Sequence, residues 1–196
     1  MKILFAAASY LLGSVPTGYL LARLSGTRDV REFGSGSTGA TNVLRVKGWK
    51  IAFPVVVFDV LKGFLPVFLA AKWFVDPVFA AFCGLLAVVG HCFPFSIGFR
   101  GGKGVATSLG AFAAIAWAPC LGSLGLFFLI VGLTRFVSLG SILAALAFPF
   151  IAFAGGAPVA VAAVALGIAV LVVVRHRGNI GRLLGGTERK IGDKAA

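Results

Sequence analysis

The stretch GVATSLGAFAAIAWAPCLGSLGLFFLIVGL, Gly104 to Leu133, is a run of 30 residues without a charge. A helix needs about 20 apolar residues to cross a bilayer, so this run is too long for one crossing and short for two. Trp117-Ala118-Pro119-Cys120 stands near its middle. Proline has no amide hydrogen to donate and clashes with the preceding helical turn, so a break here allows a tight hairpin. One crossing gives the chain six spans and two give seven. That parity decides on which side of the membrane everything downstream lies.

The rest of the chain frames the choice. Of 196 residues, 59% are hydrophobic and 12% charged, about half the charged share of a soluble domain. Five further runs, Ile3–Ala22, Ile51–Ala71, Pro77–Phe95, Phe136–Ala154 and Pro158–Val174, are each close to spanning length. The chain therefore reads as an all-α polytopic membrane protein, a single integral domain over residues 1–196. Met1 and Lys2 ahead of an apolar run resemble a signal peptide, but no soluble domain follows, so the run is expected to remain as a span. Cys83, Cys92 and Cys120 lie in or beside apolar segments without CxxC spacing and read as buried thiols.

Charge selects between six spans and seven. With seven, and the N-terminus outside, all of the 18 Lys and Arg residues except Lys2, Lys62 and Lys72 face the cytoplasm. These are the six between the first two spans (Arg23 to Lys50), Arg100 with Lys103, Arg135, and the six of the tail from Arg175 to Lys194. With six spans the basic tail falls opposite one of the other basic loops. The positive-inside bias thus favours seven transmembrane helices, N-terminus outside and C-terminus cytoplasmic. The net charge of +12 then reflects that bias and attraction to anionic membrane lipids. Nucleic acid is not expected as a partner, because the basic residues flank apolar spans and form no single solvated face.

Three polar segments share the cytoplasmic face in this arrangement. GSGSTGATNVLR, Gly34 to Arg45, alternates glycine with the hydroxyls of Ser35, Ser37 and Thr38 before a helix-compatible stretch that places Asn42 and Arg45 on one face. Exposed amides and hydroxyls at a helix start suit an anion, although turn-forming residues of this kind also make plain flexible loops. GFRGGKGVAT, Gly98 to Thr107, has phosphate-loop character but is no Walker A motif, since Ile97 stands at the first glycine position and Gly104 follows Lys103. Its glycines allow close backbone approach and Lys103 adds a point charge; a basic turn that merely enforces topology is the competing reading. In RHRGNIGRLLGGTER, Arg175 to Arg189, a helix continuing from the last span would set His176, Asn179 and Arg182 in a slanting row. A headgroup-binding tail explains the arginines but not His176 and Asn179. Within the second span, Asp59 and Lys62 are one turn apart and are expected to pair as structural support.

Several chemistries are missing. There is no G-x-S-x-G elbow. Nor is there a His-x-x-x-x-Asp motif, because Ser96 and Gly181 stand five residues after His91 and His176. The six acidic residues form no obvious metal-binding cluster. What remains is a site of cationic and neutral donors for anionic substrates, one of which carries its own leaving group.

Taken together, GSVPTGYLLARLSG (Gly13–Gly26), GSGSTGATNVLR, DVLKG, GHCFPFSIGFRGGKGVAT and RHRGNIGRLLGGTER resemble the bacterial acyl-phosphate:glycerol-3-phosphate acyltransferase family, the PlsY type. The motifs occur in family order over nearly the whole chain. The resemblance implies a multi-pass protein of the bacterial inner (cytoplasmic) membrane with its site on the cytoplasmic face. It implies transfer of an acyl group from acyl phosphate to the 1-hydroxyl of glycerol 3-phosphate, giving lysophosphatidic acid and inorganic phosphate, with no metal, nucleotide or other cofactor. It places catalytic roles on Ser35, Arg45, Lys103, His176 and Asn179. Substrate contacts are expected from Ser37, Asn42, His91, Gly101, Gly102, Gly104 and Arg182, with support from Asp59, Lys62 and Glu188. Two positions depart from the family pattern: Ser37, where asparagine is usual, and Gly178, often glutamate. A phosphate transporter shares basic residues near membrane depth, but it builds its site at the midplane from repeats, and none is visible here. A lipid-binding scaffold has no need of Ser35, His176 and Asn179 together.

The parity argument has a direct test. In a cysteine-free background, a single cysteine in the Ala154–Pro158 turn should react with an impermeant reagent added from outside. Labelling only from the cytoplasmic side gives six spans.

Overall fold

The computed structural model describes residues 1–193; Lys194, counted above with the basic tail, lies outside them. The decisive run divides at Ala116, into α6 (Val105–Ile115) and α7 (Trp117–Thr134). The break falls three residues before Pro119, not at it. Proline is tolerated in the first turn of a helix, where its missing amide hydrogen has no partner anyway, so Pro119 starts α7 instead of ending α6. The halves are unequal, at 11 and 18 residues. At about 1.5 Å per residue, α6 reaches only about 16 Å, roughly half of a hydrocarbon core.

The first run is also two helices. The expected span Ile3–Ala22 breaks into α1 (Lys2–Gly13) and α2 (Thr17–Leu24) at Pro16. The break exposes the Val15 carbonyl, which accepts a hydrogen bond from Lys62 Nζ at 2.9 Å. A short helix, α3 (Ala40–Lys47), precedes the 26-residue α4 (Trp49–Phe74). Then come α5 (Pro77–Cys92), α8 (Val137–Ala154), α9 (Val159–Arg175) and α10 (Arg177–Leu184). Asp76 caps α5 by accepting from the amides of Val78 and Phe79 at 3.1 and 3.0 Å, with Pro77 at the first position.

By length and hydropathy, five segments among the described residues can cross a membrane: α1 with α2, α4, α5 with the turn after it, α7 and α8. The pair α9 and α10 makes a sixth, bent by 59°. The straight continuation expected after the last span is therefore replaced by a bend at His176, where the apolar run gives way to RHRGN.

Close packing depends on absent side chains. Gly63 of α4 lies against the Thr107 carbonyl and Gly110 of α6 against the Val60 carbonyl, and a Cβ at either glycine would overlap the facing backbone. Small residues at such crossings let membrane helices approach to backbone contact. A core of Val88, Cys92, Phe112, Phe148, Ile168 and Val172 gathers α5, α6, α8 and α9. All three cysteines are free and buried.

Gly110→Ala should lower the thermal midpoint in detergent, at a cost of about 1–3 kcal/mol for overpacking. Gly125→Ala, with nothing among the described residues within 4 Å of its Cβ position, should leave the midpoint unchanged. Equal midpoints for the two variants would mean that the α4–α6 crossing tolerates a methyl group.

Candidate active site

Asn42 organises the first polar loop. Buried on α3, it donates through Nδ2 to the carbonyls of Val30, Phe33 and Ser37 at 3.0, 3.1 and 2.8 Å. Its Oδ1 accepts from the Ser35 amide at 2.8 Å. Asn42 lines the cavity, but these bonds satisfy its amide and give it a loop-forming part in place of the expected substrate contact. Gly34 turns there with φ +63°, and a Cβ on it would strike Asn42 Oδ1. Ser37 Oγ accepts from the Gly39 amide at 3.1 Å. Ser35 Oγ has no hydrogen-bond partner among the described residues and borders the cavity. Arg45, one turn beyond Asn42, is half-buried with its guanidinium 3.5 Å from the Arg189 carbonyl.

The glycine turn is likewise built around its neighbours. The amides of Gly101 and Gly102 donate to the carbonyls of Cys92 and His91 at 3.2 and 3.1 Å, so neither amide points to a ligand. Arg175 grips the same turn from the other side, donating to the carbonyls of Gly102 and Gly101, both at 3.1 Å. Gly102 has no room for a side chain against the His91 ring. The turn therefore aims Lys103, and the backbone that reaches the cavity is the start of α6, where Gly104, Val105 and Ala106 line it, a helix end of the kind that suits an anion. Gly104 enters that helix with φ +84°, a conformation suited to glycine.

The tail brings the third segment in. His176 Nδ1 lies 2.8 Å from the Val172 carbonyl; only a protonated nitrogen can bond there, which leaves Nε2 as an acceptor in the neutral ring. Asn179 accepts from Lys103 Nζ at 2.6 Å and donates to Glu188 Oε1 at 2.6 Å. Glu188 also accepts from Ser138 Oγ and Arg182 Nε, both at 2.8 Å. Burial raises the Glu188 pKa, but these hydrogen bonds outweigh it and hold the carboxyl below its usual value. Burial lowers the Lys103 ammonium to about 8, with the Glu188 charge opposing and Arg182, Arg45 and Arg175 assisting. Burial lowers Arg45 too.

These groups meet at one cavity of about 370 Å³. Ser35, Arg45, Lys103, His176, Asn179 and Glu188 line its polar end. Leu109, Phe112, Leu124, Phe127, Ala144 and Ala145 line the rest, an apolar slot between α6, α7 and α8. Arg182 stands apart, lining a smaller pocket of about 70 Å³ with Gly34, Ser35, Arg45 and Arg189. Asp59 and His91 border the main cavity, and Asp59 pairs with Lys62 at 2.8 Å.

A family model for glycerol-3-phosphate acyltransferase matches residues 3–186. The chain belongs to that family. A glycerol-3-phosphate acyltransferase of Synechococcus sp. (strain CC9902) is 46% identical over 193 residues, 98% of this chain and 96% of that protein. Another, from Geobacter sulfurreducens, is 48% identical over 191 residues, 96% and 97% of the two chains. The crystal structure of PlsY (YgiH), an integral membrane glycerol 3-phosphate acyltransferase, in its glycerol 3-phosphate form matches with a TM-score of 0.93 at 42% identity, over 97% of this chain and 96% of that one. Its lysophosphatidic acid form gives 0.91.

The acyltransferase site contains partners that sequence reasoning missed. In the sequence Arg175 reads as a topological charge alone, and Ser138 belongs to no motif. Proximity to His176 was the available signal for Arg175. Ser138 had none, since only folding brings α8 to the tail.

A cationic Lys103 should be required for turnover. Its ammonium is present below pH 8 and is lost as pH rises through about 8, so kcat/KM should fall on the alkaline side with that midpoint. Lys103→Arg, charged at all working pH values, should remove the alkaline limb even if its turnover is lower. A limb unchanged in that variant would assign the titration to another group.

Proposed function

We propose that this acyltransferase takes its acyl group from acyl phosphate and passes it to the 1-hydroxyl of glycerol 3-phosphate, at the cytoplasmic face of a bacterial inner membrane, with seven spans and the N-terminus outside. The observation that carries the reading is the two-part cavity: a cationic, hydroxyl-lined end opening into an apolar slot among α6, α7 and α8. A phosphate headgroup bearing an acyl chain fits both halves. Glycerol 3-phosphate fits the polar end alone.

In the proposed step the glycerol oxygen attacks the acyl carbon, forming the ester bond while the acyl carbon–phosphate oxygen bond breaks. The hydroxyl proton passes to the departing phosphate, which leaves as inorganic phosphate, so no side chain need act as base. Lys103, held by Asn179, and Arg45 position the phosphates. Ser35 and the first amides of α6 stabilise the oxyanion. His176, with Nε2 as acceptor, orients the attacking hydroxyl. Glu188 and the Asp59–Lys62 pair hold these groups in place. Gly101, Gly102 and His91 act through the backbone turn that presents Lys103, while Ser37 and Asn42 shape the loop beneath Ser35. Arg182 extends the cationic surface toward the smaller pocket.

Purified protein supplied with glycerol 3-phosphate should release phosphate with acyl phosphate and remain inactive with acyl-CoA or acyl-carrier protein. Turnover with acyl-CoA in the absence of acyl phosphate overturns the donor assignment. Arg45→Lys keeps the charge but loses the planar fork that holds a phosphate through two hydrogen bonds. It should reduce kcat/KM by at least about tenfold, roughly 1.4 kcal/mol of transition-state stabilisation. Arg28→Lys, in the same loop but outside the glycine-hydroxyl segment, should be silent. Equal activity of these two variants at matched expression would make Arg45 a topological charge only.

A further inference from the structure

We propose that Phe112, backed by Phe148, forms the floor of the acyl slot and sets the longest acyl chain that this enzyme accepts in full. The inference rests on the acyl-transfer reading above and extends it to substrate length. Three helices wall the slot, and their lining residues follow helical periodicity away from the polar end. On α8 the stripe is Ser138, Ser141, Ala144 and Ala145, all small, and the next position in register is Phe148. On α6 the stripe passes from Val105 through Ser108 and Leu109 to end at Phe112. The two rings face each other with centroids 3.6 Å apart and planes 7° from parallel. Phe148 no longer lines the cavity, and Phe112 is its last residue on α6. The slot ends where the small residues end.

The floor is backed by packed protein. Phe112 is 5% exposed and Phe148 1%, and both belong to the core shared with Val88 of α5 and Ile168 of α9. A chain pressing on them meets a close-packed interior that resists displacement. From Ser138, which touches Glu188 at the polar end, to Phe148 is about 15 Å along α8. Along α6 and α8 this depth ends at Phe112, with Phe148 stacked behind it. Each methylene that finds room above the floor is worth about fourfold in kcat/KM, from the burial free energy of one CH2.

A competition assay reads the effect without depending on absolute rates. Glycerol 3-phosphate and an equimolar mixture of saturated acyl phosphates of stepped length are supplied together, and the product lengths are measured by mass spectrometry. Phe112→Leu lowers the floor and should raise the ratio of long to short product by about fourfold for each methylene gained. Ala145→Phe raises the floor by about one turn and should shift the ratio the other way. The two variants change the volume in opposite senses, so loss of one to misfolding leaves the other decisive. Variants that transfer acyl groups with the wild-type length distribution overturn the floor and leave the acyl-transfer reading intact. Wild-type protein that makes no acylated product from any acyl phosphate overturns that reading, and the floor with it.

Discussion

One buried carboxylate ties the site-bearing half of the bundle together. Asp59 of α4 accepts from Lys62 at 2.8 Å and from the Thr17 hydroxyl of α2, with His91 Nδ1 of α5 at 3.6 Å. Both charged partners are at least 95% buried. A lone charge at this depth is strongly unfavourable, so the pair persists only with its remaining hydrogen-bonding capacity met. Lys62 meets part of it by donating to the Val15 carbonyl at the Pro16 break, which otherwise accepts only the local bond from the Thr17 amide among the described residues. The broken first span and the buried ion pair are thus one arrangement: each satisfies polar groups that the other exposes.

From that anchor the site follows outward. His91 sits between the cluster and the glycine turn, so the absence of a side chain at Gly102 lets the turn close over its ring. Arg175 holds the same turn from α9 while its guanidinium lies 5.0 Å from the Phe93 ring centroid. The turn presents Lys103 to Asn179, and Asn179 passes the connection to Glu188, Ser138 and Arg182. The phosphate-like character of the glycine stretch therefore has an indirect physical basis. Gly101 and Gly102 serve close packing and Gly98 and Gly104 serve backbone conformation, while Lys103 and the opening residues of α6 are the ones that border the cavity.

Much of this was legible in one dimension. The Asp59–Lys62 pair followed from one-turn spacing and the high cost of a single ion in hydrocarbon. The division of Gly104–Leu133 followed from length against bilayer thickness, although the break moved from Pro119 to Ala116 because proline opens a helix more readily than it closes one. The break at Pro16 has only its residue type as a signal in the sequence. Asn42 could be assigned to the site and not to its work, since four partners between Val30 and Ser37 become apparent only when the loop is folded back over α3.

Apolar length, charge bias and motif order alone determined the membrane class, the helical architecture and the family. These properties depend on local composition and on the solvent, which act on each segment independently. The tertiary structure decided which polar groups touch. Lys103 and Asn179 are 76 positions apart in the chain and 2.6 Å apart in space. Ser138 and Glu188, separated by 50 positions, meet at 2.8 Å. The 59° bend at His176 redirects the segment that carries Asn179, and the glycine crossing of α4 with α6 fixes the helix that Lys103 precedes. Neither has a signature in spacing, because both arise where helices already formed settle against one another.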